Sequence, residues 1–187
     1  APPLEADAVV VATGGLSVPG SGSDGLGLKL LEKLGHTVHA TYPALTPLLG
    51  ANSPLSGLAG ISLPVTITAR ADGRSATATG GFLFTHRGYS GPAVLDVSHV
   101  AVRSLGSGAP ATLTVRWTAR EEKAWDTALR AAGTRTVGGA LRSELPDRLA
   151  DALASLAGVD PARPLSRLTR QERLRLTETL VRGPLPW

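Results

Sequence analysis

The chain has 187 residues, 42% hydrophobic, 18% charged and 4% aromatic, the proportions of an ordinary globular protein rather than a disordered or fibrous one. It contains no cysteine, which excludes disulfides, thiolate metal sites and a cysteine nucleophile, and suits a reducing cytoplasm. The 19 basic and 15 acidic residues leave a net charge of +4, too small to announce a nucleic-acid partner, and the longest apolar run, Ala8 to Ala12, is far short of the roughly 20 residues of a membrane span.

Ala8 to Ala12 is a short valine-rich run of the kind found in buried parallel strands, and it ends at Thr13-Gly14-Gly15. The next segment, LSVPGSGSDG, is dense in Gly, Ser and Pro and reads as loop. Asp24 then caps a predicted helix over residues 25 to 34, with Leu26, Leu30, Leu31 and Leu34 at helical spacing and Gly35 as its stop. Strand, loop and helix make half of a βαβ unit, and Thr37 to Thr41 looks like a further short strand. Beyond a turn-rich stretch from Pro43 to Pro64, VTITARADGRSATATGGFLF alternates β-branched with small or polar residues on either side of an Asp72-Gly73 hairpin turn. Pro92, at a first helical position behind Ser90 and Gly91, starts a helix to about Arg103, and Ala111 to Trp117 alternates as one more strand. The β-rich middle suggests a small barrel.

After Trp117 the pattern turns helical, and 12 of the 19 basic residues fall between 118 and 182. Thr118 with Glu121 and Thr169 with Glu172 both fit a T-x-x-E capping box. Asp147 is placed to cap a helix over 148 to 157, and another is expected near Thr134 to Leu145, giving a small helical bundle. The expected fold is therefore α+β: a βα fragment at 1–42, a β-barrel at 43–117, a helical bundle at 118–182 and a return segment at 183–187. G-x-S-x-P pentads begin at Gly15, Gly60 and Gly88, at unequal spacing that excludes a solenoid, and read as coincident turn chemistry.

Five constellations bear on chemistry. Gly20 to Gly25 matches G-x-G-x-x-G ahead of a helix, but seven residues separate it from Ala12 and no acidic residue lies between Glu32 and Asp72 to hold a ribose, so an autonomous dinucleotide site is disfavoured. No serine stands in G-x-S-x-G, because proline takes the last place in all three near misses. His36, His39, His86 and His99 lack the spacing and carboxylate neighbours of a metal site, and His36 and His39 read as exposed edge residues. The loop Phe84 to Pro92 is the best candidate for a ligand loop, since it carries His86 and feeds a helix N-terminus whose free N–H groups attract anions, although turn formation by Gly88 and capping by Ser90 explain much of it. The arginines at 163, 167, 170, 173, 175 and 182 are interleaved with Asp160, Glu172 and Glu178 and lack an aromatic platform, so they read as a solvated helix face.

Three segments together resemble one family. VVVATGGLSVPGSGSDGLGLKLLEKLGHTVHATYPALTPL resembles the ATGG-[LYS]-P-x-x-GS-x-G-x-G … GH … P-A-L-x-P-L signature of the BaiN-like, or aminoacetone-oxidase-like, FAD-binding oxidoreductases. GFLFTHRGYSGPAVLDVS is similar to that family's G-x-x-L-F-T-H-x-G-x-S-G-P-A-x-L-x-x-S, and LRSELPDRL through LTRQERLRLTETLVRGPLPW to the helical end of its insert domain. The one visible departure is Val18, where members often carry an aromatic. The resemblance covers the whole chain but only the middle of the family's polypeptide, without its N-terminal G-x-G-x-x-G and ribose-binding acid or its C-terminal glycine-rich flavin segment. It implies a strip of FAD domain followed by an insert made of a small β-barrel and a helical bundle.

By that resemblance Ala12, Thr13, Gly14 and Gly15 would lie against FAD, Ser21, Gly22, Asp24 and Gly25 would form the neighbouring loop, and Thr85, His86, Ser90 and Gly91 would face the flavin cleft from the insert. The expected partners are a small-molecule substrate and the rest of the parent FAD domain, with no membrane and no nucleic acid, and the isolated chain is expected to be inactive. No signal peptide is visible, and with no methionine present Ala1 is expected to be a processed end or a cut inside a longer protein. The alternative is a non-catalytic module, a barrel with a basic helical appendage, that binds nucleic acid or a protein.

Overall fold

The computed structural model describes residues 2–50, 54–130 and 133–187. The chain divides into two units, Ala1–Pro43 and Ala44–Trp187.

In the first unit a 3₁₀ turn at Pro19–Ser21 precedes helix α1 (Leu26–Lys33). Asp24 is not the cap that the sequence suggests: the N-cap is Gly25, in the left-handed region at φ 77°, and the Asp24 carboxylate, one residue earlier, accepts from the Leu26 N–H at 3.0 Å in an Asx-type turn. The helix ends where the sequence places its stop: Gly35, at φ 89°, donates to the Glu32 carbonyl and His36 to that of Leu31, the paired bonds of a Schellman motif. The strands expected at 8–12 and 37–41 are not formed. A parallel strand takes its hydrogen bonds from neighbouring strands, and these residues have no strand pairing among the described residues.

The second unit is built on one antiparallel sheet, in the order β1 (Leu48–Leu49), β4 (Gly88–Ser90), β3 (Arg74–Thr85), β2 (Ser62–Ala71), β5 (Thr112–Arg116), β6 (Gly183–Pro184), curled into a half-barrel. Strands β2 and β3 are the predicted hairpin, with Asp72 at φ 48° and Gly73 at φ 72°, positive at both central positions as a type I′ turn demands. The registers put Val65, Ile67 and Ala69 of β2, Ala76, Ala78, Gly80, Phe82 and Phe84 of β3, and Leu113 and Val115 of β5 on one face. Helix α2 (Pro92–Ser104) packs on this face through Ala93, Val94, Val97 and Ala101, all buried. Small residues at 76, 78 and 80 let the helix lie close; the aromatic rings of Phe82, Phe84, Tyr89 and Trp117 fill the wider end with centroids 4.9 to 6.0 Å apart.

Four helices follow: α3 (Glu122–Ala128), α4 (Val137–Leu141), α5 (Asp147–Leu156) and α6 (Arg170–Arg182). They bury Trp125, Leu129, Leu141, Leu149, Leu153, Leu176 and Leu180 in a core continuous with that of the sheet. Of the two T-x-x-E sequences only one closes as a capping box, Thr169 with Glu172. At the other, the Thr118 hydroxyl accepts from the Trp125 indole N–H at 3.1 Å and from the Arg120 N–H at 3.2 Å, and α3 starts three residues later than a box would place it. The helix expected near 134 to 145 shortens to α4, capped by Thr136, and Asp147 sits inside the first turn of α5 behind Pro146. Among the described residues no helix is long and apolar enough to cross a membrane.

Candidate functional site

The candidate loop is a second hairpin. Thr85 pairs with Gly88, so His86 and Arg87 occupy its tip, and the Arg87 N–H donates to the Thr85 hydroxyl at 3.3 Å. His86 is exposed, whereas Thr85, Ser90 and Gly91 are half-buried. Ser90 does not cap α2 as expected. It belongs to β4 opposite Leu83, and the cap is Gly91, whose φ of 99° turns the chain into the helix where a Cβ would fall 2.5 Å from the Gly81 carbonyl oxygen. Alternation along β3 and β4 sends Phe84 and Tyr89 into the core and sets Leu49, Leu83, Thr85 and Ser90 on the opposite, outward face.

What holds this edge in place is the segment Ala44 to Gly50. Leu48 and Leu49 pair with Tyr89 and Gly88, and the Gly50 N–H donates to the Arg87 carbonyl at 3.0 Å. The Thr46 N–H donates at 3.1 Å to the hydroxyl of Ser98, buried in α2, which in turn donates to the Leu95 carbonyl at 2.7 Å. Leu45 takes a left-handed φ of 53°, uncommon for a leucine. Gly50 lies under the Tyr89 ring, where a Cβ would come within 2.8 Å. The PALTPL and SGPAVLDVS segments, far apart in the chain, thus form one knot. Leu45, Gly50 and Ser98 stood outside the candidate residues, and the signal for Ser98 was only its place as the last residue of the second signature.

In the first unit Gly14, Gly22 and Gly25 all have positive φ, and a Cβ at Gly15, Gly20 or Gly22 would meet nothing within 4 Å, so this backbone is open to close approach by a flat ligand. The Gly25 N–H donates to the Gly15 carbonyl at 3.0 Å, and Ser21 donates to the Val18 carbonyl at 2.9 Å, which ties the loop to itself. Gly27, missed as a site residue, is buried in α1, with Thr13 and Val11 lying where its Cβ would be. It performs the close-packing role that the last glycine of a dinucleotide fingerprint serves. Its signal was the last glycine of GS-x-G-x-G.

Arg87 at the hairpin tip has no ion pair among the described residues, while in the helical half Arg120, Arg130, Arg142, Arg163, Arg173 and Arg182 each have a carboxylate partner. Arg130 at 2.7 Å, with Arg173 behind it, holds Asp126 below the usual carboxylate range. A groove of about 320 Å³ beside them is lined by both signs, including Glu122, Lys123 and Arg170. Among the described residues no three His, Asp or Glu side chains gather as metal ligands.

The family model of the HI0933-like protein barrel and H2TH domain matches residues 42–185. This chain belongs to the HI0933-like family. Its members are FAD-dependent oxidoreductase-like proteins, and the barrel and helical bundle described above are its two named parts. Among curated proteins, this HI0933-like chain is 46% identical over 93 residues to the ribosomal RNA dihydrouridine synthase of Haemophilus influenzae (49% of this chain, 22% of that protein). It is 43% identical over 94 residues to the protein of that name in Escherichia coli (48% and 22%). To the 3-dehydro-bile acid delta(4,6)-reductase of Clostridium scindens it is 30% identical over 170 residues (87% and 41%). The chain thus spans between about one fifth and two fifths of the length of these relatives.

Proposed function

We propose that this chain is the insert region, with a strip of FAD domain, of an FAD-dependent oxidoreductase that reduces a carbon–carbon double bond. The reading is carried by the knot between the two signature segments, beside which Thr85, opposite Gly88, and Ser90, opposite Leu83, lie on the same outward face of the sheet. Two kinds of relative support the reaction class. One is named a delta(4,6)-reductase, and the other is named a dihydrouridine synthase, dihydrouridine being uridine with two hydrogens added.

The residues present fit a flavin nucleotide in one respect: Gly15, Gly20 and Gly22 have open space where a Cβ would stand, and Ala12, Thr13 and Gly14 lead into Gly15. Those residues with Ser21, Asp24 and Gly25 would hold part of the cofactor; Asp24 spends one carboxylate oxygen on α1 and keeps the other. Bound flavin supplies the two-electron chemistry. From the insert, the Thr85 and Ser90 hydroxyls orient the substrate, Leu49 and Leu83 beside them exclude water from it, and exposed His86 at the hairpin tip meets the substrate's outer part. We place the parent in the cytoplasm as an expectation, with which the absence of cysteine from these 187 residues agrees.

The test is a flavin-fluorescence quenching titration of FAD with the 187-residue chain and with a version extended to the length of its relatives. Quenching by the extended protein alone is expected, with no turnover by the shorter chain. Quenching by neither protein rejects the flavoprotein reading.

A further inference from the structure

Helices α3 and α6 lie side by side, and the pairing of Glu122 with Arg182 at 2.9 Å and of Asp126 with Arg173 at 3.7 Å makes them antiparallel. Between them runs the groove of about 320 Å³. Both of its carboxylates are taken, Glu122 by Arg182, and Asp126 by Arg130 at 2.7 Å as well as by Arg173. Lys123 and Arg170 line the same groove and have no carboxylate partner among the described residues.

Exposed charge alone is ordinary; what marks this groove is buried. Thr177 of α6 lines it and is 2% exposed, and its hydroxyl has no hydrogen-bond partner among the described residues. A helical threonine can settle its hydroxyl on the carbonyl four residues back. Thr127 does so on Lys123 at 2.9 Å, and Thr179 on Arg175 at 2.8 Å. One turn before Thr177, the Nε of Arg173 is also buried without a hydrogen bond. Of the three side-chain polar atoms left so among the described residues, two thus lie a turn apart on α6, beside one groove. Buried polar atoms of this kind need an explanation, and a ligand is one.

The two groups ask for the same ligand atom. A threonine O–H and an arginine N–H both donate to a carboxylate oxygen, and a carboxylate is also what Lys123 and Arg170 attract. With Glu122 and Asp126 in the lining, a doubly charged phosphate meets more repulsion than a singly charged carboxylate. Leu174, 51% exposed, adds an apolar wall, and the volume suits a small molecule. We propose that the α3–α6 groove binds a small aliphatic monocarboxylate, with Thr177, Arg173, Lys123 and Arg170 serving the carboxylate and Leu174 the chain. The site lies within the helical half and does not depend on the flavin reading.

The test is a titration of the isotope-labelled 187-residue chain with sodium hexanoate at constant ionic strength, followed by backbone amide shifts, with hexanol and inorganic phosphate titrated in parallel. Hexanoate is expected to give saturable shifts centred on α3 and α6. Thr177→Val keeps the side-chain shape and removes only the hydroxyl. It is expected to weaken hexanoate binding by about fivefold or more while leaving the urea midpoint equal or higher, since the fold gains nothing from an unpartnered buried hydroxyl. Replacing both free cations (Lys123→Gln with Arg170→Gln) is expected to weaken binding by about tenfold or more. Absence of saturable shifts, equal binding of hexanol or phosphate, or unchanged affinity in either variant each overturns the proposal. So does a lowered urea midpoint in Thr177→Val, because the hydroxyl would then be serving the fold.

Discussion

Gly88 is held to glycine by the backbone of the neighbouring strand β1. In the sequence it is a turn former between Arg87 and Tyr89. In the structure its φ is 153°, and a Cβ would land on the Leu48 carbonyl oxygen and 2.5 Å from the Gly50 nitrogen. The constraint comes from a segment some forty positions away in sequence, which no local pattern reports. Gly88→Ala is therefore expected to destabilise the protein by about 3 kcal/mol, toward the severe end for a single substitution. Urea unfolding measures the loss, and hydrogen exchange at the Gly50 N–H, bonded to Arg87, is expected to accelerate as β1 detaches. The same blindness explains Ser90: next to a Gly-Pro pair it looks like a cap, but its backbone is already committed to Leu83.

Among the elements, the two T-x-x-E sequences are locally equivalent and end differently. The Thr118 hydroxyl lies within reach of the buried Trp125 indole, and satisfying that donor competes with closing a box. Thr169 has no such rival, so Glu172 accepts from its N–H and hydroxyl, both at 2.9 Å. Those two bonds are the chief causes that hold Glu172 below its ordinary pKa of 4.5, and Arg163 and Arg175 reinforce them. Because the folded carboxyl resists protonation more than the unfolded one, its contribution is complete above pH 4.5 and is lost as the pH falls through the lowered native value. Glu172→Gln is accordingly expected to lower the urea midpoint at neutral pH, with the gap to the parent protein narrowing on acidification. A gap that stays constant with pH would contradict this. Hairpins and helices whose signals are local, such as Asp72-Gly73 and the Gly35 stop, were legible in the sequence because their geometry is paid for within a few residues.

For the whole molecule, the buried hydrophobic core begins at Leu48 and runs through to Leu185, all inside the second unit. Residues 44–187 are thus expected to fold without the first unit, with a urea midpoint close to that of the full chain and the same cooperative loss of tryptophan fluorescence. A broad, non-cooperative transition would contradict that. Net charge is another whole-molecule quantity. A sum of +4 is blind to position, and folding sets Arg70 and Arg116 along one groove whose lining holds no carboxylate.

Periodicity and turn chemistry alone determined the α+β class, the β2–β3 hairpin, α1 and α2 and the Thr169 cap, because each is stabilised by contacts between residues close in the chain. Position-rich signatures added the family, though not the reason for their letters. Only the tertiary structure decided that PALTPL and SGPAVLDVS meet, that Ser98 holds Thr46, and that Thr85 and Ser90 share the outward face with the Arg116 groove. Those contacts join residues dozens of positions apart, and their energy is realised only once the sheet has brought them within hydrogen-bond distance.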